Sequence, residues 1–245
     1  MIFEKNYTTK WHDTDASRRV RITKLLEYMQ ETSNAHMDAF GPSLDRLRDE
    51  HRLAFILSKT RIKIYQPVFA YEDIQVRTWT SEPHGFAIPR AYEILKDGIK
   101  VAEANTVWAL IDIDTRRLVK GNDGMSHYGF KNLPPLSTDV PNRFKLPSDT
   151  ELVTVARRRI VYSDLDYNMH MNNTKYTDML CDFIPYEDIG RISGVLLSYV
   201  NEAAFGDTLE VNHTFADRTH YFRTVDQNGK ICLEAQLILK DENRS

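Results

Sequence analysis

Asp164-Leu165-Asp166-Tyr167-Asn168-Met169-His170-Met171-Asn172-Asn173-Thr174-Lys175-Tyr176 brings two carboxylates, an amide and an imidazole together just ahead of a helical stripe. The stripe is Tyr176, Met179, Leu180 and Phe183, spaced i, i+3, i+4, i+7, with Pro185 as its stop. The stretch has an echo. Asp13-Thr14-Asp15 followed by Thr23-Lys24 repeats, without a gap, the spacing of Asp164-Leu165-Asp166 followed by Thr174-Lys175. Under that alignment Asp15 matches Asp166, while Ser17 stands opposite Asn168 and Arg19 opposite His170. The frame occurs twice and its chemical groups once, which points to a duplicated fold in which one half carries the chemistry.

The rest of the chain supports a duplication. Residues 3–11 alternate as a strand, with Phe3, Tyr7 and Trp11 on one face. A helix is expected from Thr23 to Phe40, stopped by Gly41-Pro42, and a shorter one from Leu44 to Glu50. Strands follow at 61–65, 74–79, 87–95 and 99–113, with Lys96-Asp97-Gly98 as a hairpin turn. The stretch from Gly121 to Pro147, with Leu133-Pro134-Pro135 and Pro141, reads as a connection. The order then repeats: a strand at 152–162, a helix at 175–184, and strands at 194–200, 209–215, 219–225 and 230–239. Each half is strand, helix, antiparallel sheet, an α+β pattern. A sheet can cover its single helix by curling round it, and two halves joined edge to edge share one continuous sheet and lose two exposed edges.

The chain has 245 residues and a net charge of -3, ordinary globular composition without the basic surplus of a nucleic-acid binder. Cys181 and Cys232 read as free thiols of a reducing compartment. The N-terminus has no signal-peptide pattern and no apolar run reaches the length of a membrane span, so a soluble, cytoplasmic protein is expected.

Asp-x-Asp-x-Asn also opens calcium loops, but Met169 and Lys175 stand where such a loop needs Gly and a bidentate Glu. His170 has no second His or Cys at zinc-ligand spacing. No metal and no cofactor are expected. Capping explains Asn172 or Asn173 ahead of the helix, but not Asp166, Asn168 and His170 together. In an extended segment these three share one face, with Tyr167, Met169 and Met171 on the other, directed at a core. A carboxylate can orient an imidazole, and an amide with a helix N-terminus can hold a developing oxyanion.

The long motif closely resembles the signature of acyl-acyl carrier protein thioesterases, and Val107-Trp108-Ala109-Leu110-Ile111-Asp112-Ile113-Asp114-Thr115-Arg116-Arg117-Leu118 is similar to the segment closing their first half. The resemblance implies a double hotdog: two tandem antiparallel sheets, each wrapped around a long helix, forming one continuous sheet. It divides the chain into an N-terminal hotdog domain over 1–130 on the acyl-chain side, a linker over 131–148, and a C-terminal hotdog domain over 149–245 bearing the catalytic residues. It assigns catalysis to Asp166, Asn168 and His170, with Glu202 from Tyr199-Val200-Asn201-Glu202-Ala203 as a fourth member. Many plant members carry Cys after that Glu; Ala203 stands there here, which excludes a thiol nucleophile at that position. The implied activity is hydrolysis of fatty acyl-acyl carrier protein to free fatty acid by a water that Glu202, alone or with His170, activates as general base. Asn168 and the helix N-terminus would polarise the carbonyl, and Asp166 would orient its neighbours.

Arg157-Arg158-Arg159, and Arg18-Arg19-Val20-Arg21 with Lys24, read as solvated faces or as a basic rim steering an acidic carrier protein. Leu25, Leu26, Met29 and Met37 read as core, or as the wall of an acyl tunnel as the resemblance implies. The alternatives are an acyl-coenzyme A thioesterase of the same fold, a hotdog dehydratase, and a non-catalytic acyl-binding hotdog protein. A monomer or a homodimer fits two fused hotdogs.

Overall fold

Helix α1 (Ile22–Phe40) puts Leu25, Leu26, Met29, Thr32, Ser33, His36 and Met37 on one stripe, and all are buried. From Lys24 onward it belongs to the first of two compact units in the structure, a computed structural model that describes residues 1–241. The first unit comprises Met1–Val20, Lys24–Thr60 and Tyr65–Thr138; the second comprises Arg21–Thr23, Arg61–Ile64 and the chain from Asp139 onward.

The first unit contains β1 (Phe3–Thr8), α1, α2 (Leu44–His51), β2 (Leu53–Ile64), β3 (Asp73–Thr80), β4 (Ile88–Lys96), β5 (Ile99–Asp112), β6 (Leu118–Val119) and α3 (Gly121–Met125). Its strands are ordered β1-β3-β4-β5-β2, with β6 on β5. Asp97 and Gly98 both take positive φ (51° and 76°), the geometry of the tight turn expected between β4 and β5. Met37, Leu47, Leu53, Ile88, Leu110 and Tyr128 form a buried cluster, flanked by Phe55, Trp108, Met125 and Phe130.

The second unit contains β7 (Val153–Arg159), α4 (Lys175–Cys181), α5 (Tyr186–Ile189), β8 (Ile192–Tyr199), β9 (Thr208–Ala216), β10 (Thr219–Val225) and β11 (Ile231–Leu239), ordered β8-β11-β10-β9-β7. Tyr176, Met179 and Leu180 of α4 are buried, as are Leu196, Leu197, Phe222, Leu233 and Leu237 of the sheet. β2 lends its last residues, Arg61–Ile64, to this unit, and among the described residues the sheet has eleven strands. This is the expected α+β double hotdog.

Four elements differ from the sequence reading; one is β7, which ends at Arg159, short of the expected 162, with Tyr162 exposed in a 3-10 turn over Tyr162–Asp164. β1 stops at Thr8, and Trp11 is exposed in a single 3-10 turn over Trp11–Asp13. The stretch from Gly121 is built into the first unit: Tyr128 is buried, and the Pro134 and Leu136 carbonyls accept from Trp79 Nε1 (2.9 Å) and Asn105 Nδ2 (2.9 Å). The helix of the second unit is short. α4 closes at Cys181, where the last turn tightens to a Phe183 N–H to Leu180 carbonyl bond of 3.2 Å. Pro185 then disfavours helical backbone at Ile184.

Candidate active site

The motif begins with a carboxylate that closes a turn. Asp164 Oδ2 accepts the Val161 N–H at 2.9 Å, and Oδ1 accepts Arg158 Nη2 at 2.5 Å. The buried carboxylate is thereby satisfied by a backbone N–H and a guanidinium. Two residues on, Asp166 Oδ1 accepts the N–H of Asn168 (2.8 Å) and of His170 (3.4 Å). Its own N–H donates to the His170 carbonyl at 2.9 Å, and Met169 takes φ of 64°. Asp166 to His170 is therefore a tight loop. The expected alternation of faces presupposes extended backbone and does not occur. Only Met171 is buried, while Tyr167 and Met169 are 71% and 55% exposed.

A second segment locks onto this loop. The Met171 N–H donates to the Ala203 carbonyl at 2.8 Å and the Phe205 N–H to the Met169 carbonyl at 3.0 Å, while His170 bridges Ala204. These bonds carry Glu202, in the connection after β8, to the imidazole: His170 Nδ1 lies 3.5 Å from Glu202 Oε2. Asp166, Asn168, His170 and Glu202 thus lie in one place, the first three on the loop and the fourth on the segment bonded to it. Glu202 is off the strand expected to carry it. Asn168 is exposed, and His170 and Asp166 are half-buried.

The helix N-terminus is not open. Asn172 Oδ1 accepts the N–H and hydroxyl of Thr174 (3.0 and 2.9 Å), and its carbonyl accepts the Lys175 N–H (2.9 Å). Asn172 has the capping role foreseen for it, and these amides are not available to an oxyanion. Cys232 lies under the Glu202 segment, its carbonyl accepting the Val200 N–H at 2.9 Å. Its thiol is buried, and burial pushes its pKa up to about 11, so it is no ready nucleophile. Among the described residues no group of three or more His, Cys, Asp or Glu is arranged to hold a metal.

The echo in the first unit is geometric as well as sequential. Asp13 Oδ2 accepts the Lys10 N–H (2.7 Å), and Asp15 Oδ1 accepts the N–H of Ser17 (2.8 Å) and Arg19 (3.1 Å). Arg18 takes φ of 64°, and the Val20 N–H donates to the Val68 carbonyl at 2.8 Å. Val68 therefore stands where Ala203 stands, and Pro67 where Glu202 does. The amide, the imidazole and the distal carboxylate are replaced together in the first unit by Ser17, Arg19 and Pro67.

Sequence reasoning missed the apolar rim. Tyr162, Tyr167, Met169 and Phe205 are all more than half exposed on the loops that carry the site. Positive φ at Met169 turns that side chain outward, and period-2 reasoning has no signal for it. The basic clusters are less free than their charge implies: Arg158 holds Asp164, Arg157 pairs with Glu210 (3.1 Å), and Arg21 with Asp178 (3.3 Å).

Two family models match the chain. The acyl-ACP thioesterase N-terminal domain matches residues 1–127 and the acyl-ACP thioesterase C-terminal domain residues 148–240. Among curated proteins, a chloroplastic palmitoyl-acyl carrier protein thioesterase of Cuphea hookeriana is 24% identical over 86% of this chain and 54% of its own length. A chloroplastic oleoyl-acyl carrier protein thioesterase of Arabidopsis thaliana is 22% identical over 86% and 63%. The chain spans about half the length of the first of these relatives, 54%. Among solved structures, an acyl-ACP thioesterase from Bacteroides thetaiotaomicron superposes with a TM-score of 0.85 at 23% identity, covering 98% of both chains. A 12:0-ACP thioesterase from Umbellularia californica gives 0.81 at 18% identity, covering 98% and 97%. At these identities the structural likeness speaks for the fold.

Proposed function

Because the chain belongs to the acyl-ACP thioesterase family, we infer that it hydrolyses the thioester of a fatty acyl chain carried on acyl carrier protein, releasing free fatty acid. The observation that carries this reading is the concerted difference between the two turns. Both units keep the carboxylate frame, and only the second has Asn168, His170 and Glu202 at the matching positions. A purely structural motif has no reason to change all three at once.

In this mechanism Glu202, with His170 beside it, takes a proton from water as the water adds to the thioester carbonyl; the C–S bond then breaks, the free acid forms, and the proton passes from the base to the departing carrier thiolate. General-base assistance of this kind is typically worth about 10²–10⁴-fold. The Asn168 side-chain amide polarises the carbonyl; the capped start of α4 is left out of that role. Asp166 is a positioning residue that holds the loop through backbone bonds. No thiol intermediate is involved, since Ala203 stands beside Glu202 and Cys232 is held as a buried thiol. The first unit, with its buried Leu25, Leu26, Met29 and Met37, receives the acyl chain. The unbridged Cys181 and Cys232 support a reducing setting such as the cytoplasm, and no helix among the described residues is long and apolar enough to cross a membrane.

A release assay over a panel of acyl-carrier thioesters, with the same chains on coenzyme A alongside, tests the reading. Free acid is the expected product, with the carrier-bound form preferred. Glu202→Gln is expected to lower turnover about 10²-fold or more. Asn168→Ala should lower it about 10²–10³-fold, as loss of one oxyanion donor does. Near-full turnover by folded Glu202→Gln removes Glu202 as base, and binding without turnover by the wild type leaves an acyl-binding protein.

A further inference from the structure

The first unit buries a positive charge that, among the described residues, has no negative partner. Arg90, on β4, is 5% exposed. Its Nη1 meets His36 Nδ1 at 3.0 Å and Thr78 Oγ1 at 3.2 Å, its Nη2 meets Met37 Sδ at 3.2 Å, and its guanidinium lies 5.7 Å from the Phe130 ring centre. His36 can only accept from a guanidinium, so its ring is neutral; burial, and after it the nearby cation, push its pKa down to about 3. Among the described residues no carboxylate pairs with Arg90, whose partners are a neutral ring, a hydroxyl and a thioether sulfur. A buried cation without a carboxylate partner is costly, and the sulfur is a weak acceptor.

The guanidinium borders a cavity of about 50 Å³ lined by Ser33, Asn34, Met37, Phe55, Arg90 and Trp108 among others. That is roughly the room of one or two waters, enough for the end of a chain and not for its length. Met37 and Met125 in the wall are the side chains best able to yield to a longer occupant. A methyl terminus seated here would strip water from Arg90 and return nothing. An oxygen acceptor would complete the guanidinium's bonding.

We propose that this slot is a subsite for an oxygen-bearing chain end, so that the protein favours acyl chains carrying a hydrogen-bond acceptor near their far terminus over plain hydrocarbon chains of equal length. The inference rests on the reading of the first unit as the half that receives the acyl chain. A site built to bond an oxygen discriminates strongly against the analogue that lacks it, because its own polar groups are then left unpaired.

The test uses the full chain and fatty acids of one length, one plain and the others with an oxo group walked carbon by carbon toward the far end. Each displaces a fluorescent fatty acid. One distal position is expected to bind about tenfold tighter than the plain acid, the size of a charge-assisted hydrogen bond gained. Arg90→Met is expected to abolish that peak. A wild-type series in which no oxo acid gains even about fivefold overturns the inference, as does a peak that survives in Arg90→Met. The wild-type series decides by itself if Arg90→Met does not fold. Turnover of the matching plain and oxo acyl-carrier thioesters is scored in parallel. Turnover without oxo preference leaves the thioesterase reading standing and removes this inference; oxo-selective binding without turnover does the reverse.

Discussion

Asp15 and Asp166 perform the same task, each with one carboxylate oxygen accepting two backbone N–H groups across a loop that ends in positive φ. The likeness separates frame from chemistry within the motif. A group that does in the first unit what it does in the second is supporting the loop. Asp15→Ala and Asp166→Ala should therefore destabilise the protein by similar amounts, about 1–2 kcal/mol for the two bonds lost. Only Asp166→Ala should also depress turnover, because only its loop holds Asn168 and His170. Thermal unfolding and acid release on both variants check this. A large activity loss in Asp15→Ala with unchanged stability would mean the first loop has chemistry of its own.

At the scale of elements, the end of α1 is set by a close approach. A β-carbon on Gly41 would lie 2.8 Å from the His127 carbonyl and closer still to the Tyr128 ring. Gly41→Ala should cost about 1–3 kcal/mol, the usual range for overpacking, read as a lower chemical-denaturation midpoint with unchanged slope. That Gly-Pro would stop the helix was readable from sequence; that Tyr128, from a stretch read as a mere connection, fills the space beside it was not. The same division runs through the fold. The α1 stripe, the β4–β5 turn and the succession of elements in each half follow from local periodicity and turn chemistry and were legible; the strand order within each sheet, which sets β1 beside β3 and β2 beside β5, was not. The shape of the Asp166–His170 loop was not, because alternation applies only to extended backbone and here a side-chain acceptor outcompetes it. The 3.5 Å approach of Glu202 to His170 depends on the Met171–Ala203 bond, a pairing distant in sequence, and only the family resemblance pointed to it. The apolar rim had no sequence signal at all.

At the scale of the whole molecule, two charge effects act in opposite directions. The net charge of -3 disfavours an acidic partner, while exposed cations, Arg18 in the first unit and Arg159 in the second, each favour one locally. If those cations guide a carrier protein, kcat/KM for carrier-bound substrate should fall several-fold as ionic strength rises from about 0.05 to 0.3 M, where the screening length drops well below 10 Å. Arg159→Ala should flatten the slope; a flat wild-type response would remove electrostatic docking. Acid sensitivity has a different source. Burial, joined for His213 by the neighbouring His220, lowers the His213 pKa to about 4, and His220, bonded to Asp188 at 3.1 Å, is also shifted down. Burial takes His36 to about 3. Each ring binds its proton less readily folded than unfolded, so the unfolded chain gains protons first once pH falls below the ordinary imidazole value of about 6.5. Stability is therefore full above that pH and declines as pH falls toward the folded values. Between about pH 6.5 and 5, above the ordinary carboxylate range, the decline belongs to these imidazoles. His213→Gln keeps a hydrogen-bonding group beside His220 and removes one titration, so its unfolding midpoint should vary less with pH across that window than the wild type's. A wild-type midpoint that is constant, or that rises as pH falls from 6.5 to 5, would show that these rings are not held neutral by the fold.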